Sequence, residues 1–228
     1  VFTPFKEIAS AIGDMPKVMW QLALVYLFQW YALFCYWQNA SKSIAKSVWN
    51  TTVYQNNPAY EDAVAWSGLM NGWYNIVTFL SAFILLWLAK KISPKMIHVI
   101  CLIMAAIGLL VFPHITDKNL LFVPMAGFGI AWASMMGIPY LLVVHKIPKE
   151  RYGVYMGIIN MMIVIPMLLQ TMTFGYILKN FLGNDPGKAI SFAGVLLLLA
   201  AVATLLVQSA HKNKNSDGGM TMNGGHEC

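Results

Sequence analysis

The chain has 228 residues, of which 58% are hydrophobic and only 11% are charged. A soluble domain of this size carries about 25% charged residues, and long apolar runs recur here from one end of the sequence to the other, so a soluble enzyme or binding module is excluded. The net charge is +6, but the basic residues lie in short loops beside acidic ones, which excludes nucleic acid as a partner. We therefore predict an all-α protein that spans the lipid bilayer several times.

Six segments are apolar enough to cross the hydrocarbon layer, which needs about 20 residues of helix. They run over about 20–40, 65–88, 96–113, 120–144, 154–178 and 189–208. Charged or turn-forming stretches such as KKISPK and GNDPGK separate them. The pattern predicts a cytoplasmic linker at 1–18, a six-helix bundle at 19–209 and a disordered cytoplasmic tail at 210–228. The longest connection is expected between the first two spans, at 40–64.

The orientation follows from Lys and Arg, which are enriched in cytoplasmic loops. With six spans, ten of the fifteen basic residues fall on the side that holds both termini, and the other five fall on the opposite side. Both termini are therefore predicted in the cytoplasm. We expect the membrane to be the inner membrane of a bacterium.

The sequence offers no group for catalysis. No acidic or basic residue lies in the middle of any span, and no paired carboxylates, nucleophile elbow or phosphate-binding loop is present. The cysteines Cys35, Cys101 and Cys228 lie far apart, without a zinc-binding or disulfide spacing. We predict no catalytic residue, no metal site and no cofactor, and hence no enzyme.

Polar side chains inside the spans are the candidates for substrate binding, because such residues usually face the interior of a bundle or a water-filled cavity. Span one carries Gln29 and Trp30 at mid-depth, and span four carries Trp132. An aromatic ring covers the apolar face of a sugar, and an amide binds its hydroxyl groups. Asn71 and Asn75 lie one turn apart on span two. Those two amides either line a cavity or hold neighbouring helices together, and the sequence does not separate the two alternatives.

Spans four and five are rich in residues that weaken or bend helices. Span four contains Gly137 and Pro139, and span five contains Gly153, Gly157 and Pro166. In lipid such residues are tolerated where neighbouring helices satisfy the freed backbone groups, and Gly-x-x-x-Gly allows close helix contact. We predict hinge or packing roles for these five residues. Asn160, in the same stretch GVYMGIINMMIVIP, is predicted to face the interior and bind substrate.

Six helices with both ends inside resemble one half of a major facilitator transporter, which is built from two six-helix halves. The stretch GIAWASMMGIPYLLVVHKIPKERYGVYMGIINMMIVIPMLLQ is similar to helices ten and eleven of the sucrose-type transporters in the glycoside–pentoside–hexuronide:cation symporter group. There a small-residue helix ends in Pro-Tyr or Pro-Phe. A short charged loop follows, and then Gly-x-x-x-Gly-x-x-Asn and a Val/Ile-Pro step.

This resemblance implies that the chain supplies helices seven to twelve and that an N-terminal six-helix half completes the transporter. It implies symport of a sugar or glycoside, a sucrose- or maltose-like disaccharide, coupled to a proton or a sodium ion by alternating access. Two alternatives stay open. In the first, the chain is a membrane sensor or assembly protein on the same fold. In the second, it is a six-helix porter that pairs with a second copy of itself. Intramembrane charged residues in the upstream sequence would favour transport over the first alternative.

Overall fold

The computed structural model describes residues 10–143, 147 and 151–207. It contains six long helices: α1 (Lys17–Val48), α2 (Pro58–Ala89), α3 (Pro94–Val111), α4 (Phe122–Val143), α5 (Tyr152–Asn180) and α6 (Pro186–Leu206). Two 3-10 turns, Phe112–His114 and Lys118–Leu121, join α3 to α4. By length and composition each of the six segments can cross a membrane, so the predicted all-α fold with six spans is confirmed. The predicted tail and residues 1–9 of the predicted linker lie outside the described residues.

The first two helices are longer than the sequence predicts. Helix α1 continues to Val48 and α2 starts at Pro58, so the connection shrinks from 40–64 to 49–57. The polar stretch after residue 40 stays helical because Ser43, Ile44 and Ala45 are buried against the bundle. Each helix has 32 residues, about 48 Å at 1.5 Å per residue. The hydrocarbon layer is only about 30 Å thick, so the hydropathy of the sequence does not indicate where these two helices begin and end.

Capping residues explain where α2 and α6 begin. The side chain of Asn57 accepts a hydrogen bond from the backbone N–H of Ala59, and that of Asp185 accepts one from the backbone N–H of Gly187. A proline occupies the first helical position in both cases. Because proline lacks the N–H that would be unpaired there and has a helix-compatible φ, this arrangement favours a sharp start.

The helices form one bundle in which α1 packs most extensively against α6, and α3 packs against both α6 and α4. Helix α2 packs mainly on α4, and α5 packs mainly on α1. In the most apolar stretch of α2 only 17% of the residues are buried, and in that of α5 only 28%, against at least 50% in the other four spans. Helices α2 and α5 therefore turn most of their surface away from the bundle.

The contact between α2 and α4 depends on one glycine. A Cβ atom on Gly129 would lie 2.5 Å from the carbonyl oxygen of Tyr74 and 2.9 Å from the Cβ atom of Val77. The hydroxyl of Thr78 has one proton, which is shared between the carbonyl oxygen of Tyr74 in its own helix at 2.7 Å and that of Gly129 at 2.9 Å. A hydrogen bond from a threonine across a glycine is a common way to join membrane helices.

Candidate functional site

Three tryptophans bridge α1 and α4. The ring centroids of Trp30 and Trp132 are 5.9 Å apart, and those of Trp37 and Trp132 are 5.6 Å apart, both in edge-to-face geometry. This geometry is favourable because the positive edge of one ring meets the negative face of the other. Trp30 is buried, whereas Trp37 and Trp132 are half-buried. The structure thus brings the predicted residues Trp30 and Trp132 together, and Trp37 joins them. We call these three residues the tryptophan cluster.

Polar side chains join α1 to α5. The Nε2 group of Gln170 donates to Oε1 of Gln38 at 3.0 Å and lies 3.7 Å from the sulfur of Cys35. The hydroxyl oxygens of Tyr31 and Thr173 are 2.7 Å apart. Gln170 is fully buried, and its Oε1 atom has no hydrogen-bond partner among the described residues.

Between the tryptophan contacts with α4 and the polar contacts with α5, α1 presents a strip that no described helix covers completely. We call it the open face and define it by Leu27, Tyr31, Phe34 and Gln38. These residues are spaced by four, three and four positions, so they share one side of the helix. Leu27, Tyr31 and Phe34 are half-buried, and Gln38 is exposed. The ring of Phe34 packs edge-to-face on Trp37 at 5.7 Å, so the open face runs from the tryptophan cluster to the amide and hydroxyl pairs.

Gln29 lies elsewhere than on the open face. Its side chain is completely buried in the bundle, and neither its Nε2 nor its Oε1 atom has a hydrogen-bond partner among the described residues. Successive side chains of a helix point about 100° apart around its axis, so Gln29 and Trp30 face different sides of α1. A substrate role for Gln29 therefore stays a prediction that requires its amide to become accessible.

The three predicted asparagines lie on the two outward-turned helices. Asn71 is half-buried and Asn75 is exposed, and the Nδ2 group of Asn75 donates to the backbone carbonyl of Asn71 at 2.7 Å. Asn160 on α5 is exposed. No contact within the described residues links these amides to the tryptophan cluster, so their role in binding substrate stays a prediction.

The predicted hinge residues divide into buried prolines and exposed glycines. Pro139 and Pro166 are buried inside α4 and α5, which continue through them as helix. Gly137, Gly153 and Gly157 are exposed, and a Cβ atom added at any of them would meet no described atom within 4 Å. The predicted hinge or packing roles of these three glycines therefore involve no contact inside the described bundle.

Besides the contacts between α1 and α5, two further polar contacts were not predicted. Nδ1 of His98 on α3 lies 2.8 Å from the hydroxyl oxygen of Ser134 on α4, and both side chains are fully buried. At the end of the bundle predicted to be extracellular, Nζ of Lys46 lies 2.6 Å from a carboxylate oxygen of Asp185. These pairs join residues that are far apart in sequence, and no local pattern marks them.

Asp185 is the titratable group whose surroundings are best defined outside the spans. Partial burial acts to raise the pKa of its carboxyl. Hydrogen bonds from the Lys46 ammonium and the Gly187 N–H, together with the charge of Lys46, outweigh this effect and hold the pKa below its ordinary value of 3.8. The carboxylate thus stays charged while it caps α6 and binds the C-terminal end of α1.

Comparison with known proteins adds the family. A family model described as the Major Facilitator Superfamily matches residues 3–171, that is 169 of the 228 residues. The chain belongs to this superfamily. No curated protein and no solved structure matches it significantly. Membership together with six membrane-spanning helices indicates an integral, multi-pass membrane protein that acts as a secondary transporter, in a superfamily that is generally non-enzymatic.

Proposed function

We propose that this superfamily member transports a sugar or glycoside, with a sucrose- or maltose-like disaccharide as the preferred substrate. The observation that carries the proposal is the tryptophan cluster beside the amide of Gln38. Trp37 packs on Phe34 of the open face at 5.7 Å, and Gln38 lies one helical turn from Phe34 on that face, so the aromatic cluster and a hydrogen-bonding amide border the same strip of α1. Rings cover the apolar face of a sugar, and amides bind its hydroxyl groups, which together distinguish a sugar from a purely apolar substrate.

The proposed binding surface has two parts. Trp30, Trp37 and Trp132 form the aromatic part, and Tyr31 and Gln38 of the open face supply the polar groups. Asn71, Asn75 and Asn160 extend the surface onto α2 and α5 in this proposal. A companion six-helix half would cover the open face and the exposed sides of α2 and α5, and the substrate would sit between the two halves.

Coupling to a proton or a sodium ion belongs to the same proposal. A coupling proton needs a titratable group inside the membrane, commonly a carboxylate, and the described spans of this chain hold no Asp, Glu, Lys or Arg at mid-depth. We therefore place the coupling group in the companion half. Both termini lie in the cytoplasm of a bacterial cell in this arrangement, because the basic loops are on that side. The protein carries out no covalent chemistry.

Sugar uptake by the full-length protein in proteoliposomes tests the proposal. The panel should contain sucrose, maltose and their component monosaccharides, each measured with and without a proton or sodium gradient. We expect saturable uptake of at least one disaccharide, stimulated by one gradient. Trp132→Ala should abolish the uptake, whereas Trp20→Ala should preserve it, because Trp20 lies ten residues before Trp30, about 15 Å along the axis of α1. A properly folded wild type that takes up no sugar contradicts the proposal.

A further inference from the structure

The hydrogen bonds between α1 and α5 decide which groups of the open face can donate a hydrogen bond to a ligand and which can accept one. The proposed function alone leaves these roles undetermined. An amide can offer either its NH₂ donors or its carbonyl acceptor to a ligand, and a hydroxyl can offer either role. The partners that each group already has decide which role is left. Two groups of the open face, Gln38 and Tyr31, have such partners on α5.

For Gln38 the donor role is left. The side chain of Gln170 is fully buried between α5 and α1, and its Nε2 group donates to Oε1 of Gln38 at 3.0 Å. The same Nε2 group has the sulfur of Cys35 as a second neighbour at 3.7 Å. Since Oε1 of Gln38 faces this buried donor, the Nε2 group of Gln38 is turned outward, and it donates to no atom among the described residues.

For Tyr31 the acceptor role is left. The hydroxyl of Thr173 has one proton, and it donates that proton to the backbone carbonyl of Leu169 at 2.6 Å. The hydroxyl of Tyr31 must therefore be the donor in its 2.7 Å contact with Oγ1 of Thr173. The phenolic oxygen of Tyr31 keeps a free lone pair for a ligand.

We infer that Gln38 and Tyr31 are specificity-determining residues, a donor and an acceptor, and that Gln170 and Thr173 are positioning residues that fix those roles. The two groups are seven positions apart on α1, about 10 Å along the helix axis. A ligand that satisfies both must offer an oxygen acceptor at one end and a hydroxyl donor at the other. A sugar meets this requirement, and the inference rests on the proposed sugar transport.

The unpartnered Oε1 atom of Gln170 supports the assignment. A buried amide oxygen without a partner is unfavourable by about 1–3 kcal/mol, so apolar packing alone would not favour glutamine at this position. A role in orienting another group accounts for a glutamine at this position. Its side chain is fully buried in the described bundle, which makes positioning, and not direct contact with substrate, its role.

Fluorinated and deoxygenated sugars test the donor role of Gln38, because fluorine can accept a weak hydrogen bond and cannot donate one. Uptake of mono-deoxy and mono-fluoro analogues of the best substrate is measured for the wild type and for Gln38→Glu. The glutamate still accepts the bond from Gln170 but has no outward NH₂. At one hydroxyl position the wild type should lose about tenfold in kcat/KM with the deoxy analogue and regain most of it with the fluoro analogue. Gln38→Glu should raise KM for the parent sugar about tenfold and lose the preference for fluoro over deoxy.

Two further variants separate positioning from folding. In Gln170→Met the amide of Gln38 is free to rotate, so the fluoro preference should fall while folding and kcat stay near the wild-type values. Gln55→Glu, the same substitution as in the first variant at an exposed site in the 49–57 loop, should leave both KM and the preference unchanged. Unchanged analogue discrimination in Gln38→Glu or in folded Gln170→Met overturns the inference and leaves the proposed function standing. Absence of sugar uptake by the wild type overturns the proposed function, and the inference with it.

Discussion

Glycines on neighbouring helices of this bundle meet opposite surroundings. Cβ atoms added at Gly129 and Gly194 would lie 2.5 Å and 3.0 Å from the backbone oxygens of Tyr74 and Ala106, so there the helices touch backbone to backbone. Cβ atoms added at Gly153 and Gly157 would meet no described atom within 4 Å. All four glycines lie in apolar helices of similar composition.

The difference shows that a glycine in a membrane helix predicts a close approach but not the identity of the neighbour. Gly129 and Gly194 close the bundle from within, between α2 and α4 and between α3 and α6. Gly153 and Gly157 lie on α5, one of the two helices that are least buried. A companion half in contact with α5 would account for this second group, and substitutions in the two groups should therefore have different effects.

The largest expected effect is that of Gly129→Val. The added atoms overlap backbone and Cβ atoms of α2 that cannot rotate away, so we expect a loss of about 3 kcal/mol in the free energy of unfolding. Thermal unfolding of the purified protein in detergent measures this loss. Gly137→Val on the same helix is the control, because that position faces open space. Equal stability of the two variants would show that α2 and α4 do not approach each other at Gly129.

A smaller effect on stability, with a large effect on transport, is expected for Gly157→Leu. No described atom is near, so the free energy of unfolding should change by at most about 0.5 kcal/mol. Sugar uptake should nevertheless fall at least about tenfold, because a leucine would hold a companion half away from α5. Gly13→Leu, in the helical turn before α1 and also without a neighbour within 4 Å, should preserve uptake. Normal uptake by Gly157→Leu would place this glycine against lipid.

The smallest effect concerns the pair Lys46 and Asp185. The pKa of Asp185 is lower in the folded protein than the ordinary 3.8, so its contribution to stability is present above that value and is lost as the pH falls through the lowered pKa. Asp185→Asn should reduce the unfolding temperature slightly at pH 7, and the difference from the wild type should shrink as the pH falls below 3.8 towards the lowered pKa. Asp62→Asn, at an exposed carboxylate on α2, is the control. A difference that stays constant as the pH falls through this range would mean that the carboxylate charge is not the cause.

Much of the fold follows from the sequence, and much of the site does not. Six apolar segments with charged ends predict six helices because lipid demands them. The sequence does not predict the C-terminal part of α1, because residues 41–48 are polar and stay helical by packing on the bundle. The sequence singles out Trp30 and Trp132, but their contact depends on how α1 and α4 cross. The pairing of Gln38 with Gln170 joins positions 132 residues apart, and no periodicity within one helix reveals it.

The central claim, that a sugar binds at the tryptophan cluster, is tested most directly by tryptophan fluorescence. The purified full-length protein is titrated with the sugars of the uptake panel, beside Trp132→Phe and Trp20→Phe. We predict a saturable change in fluorescence for the wild type and for Trp20→Phe, and its loss in Trp132→Phe. No change with any sugar in the wild type, or the same change in both variants, would contradict the claim.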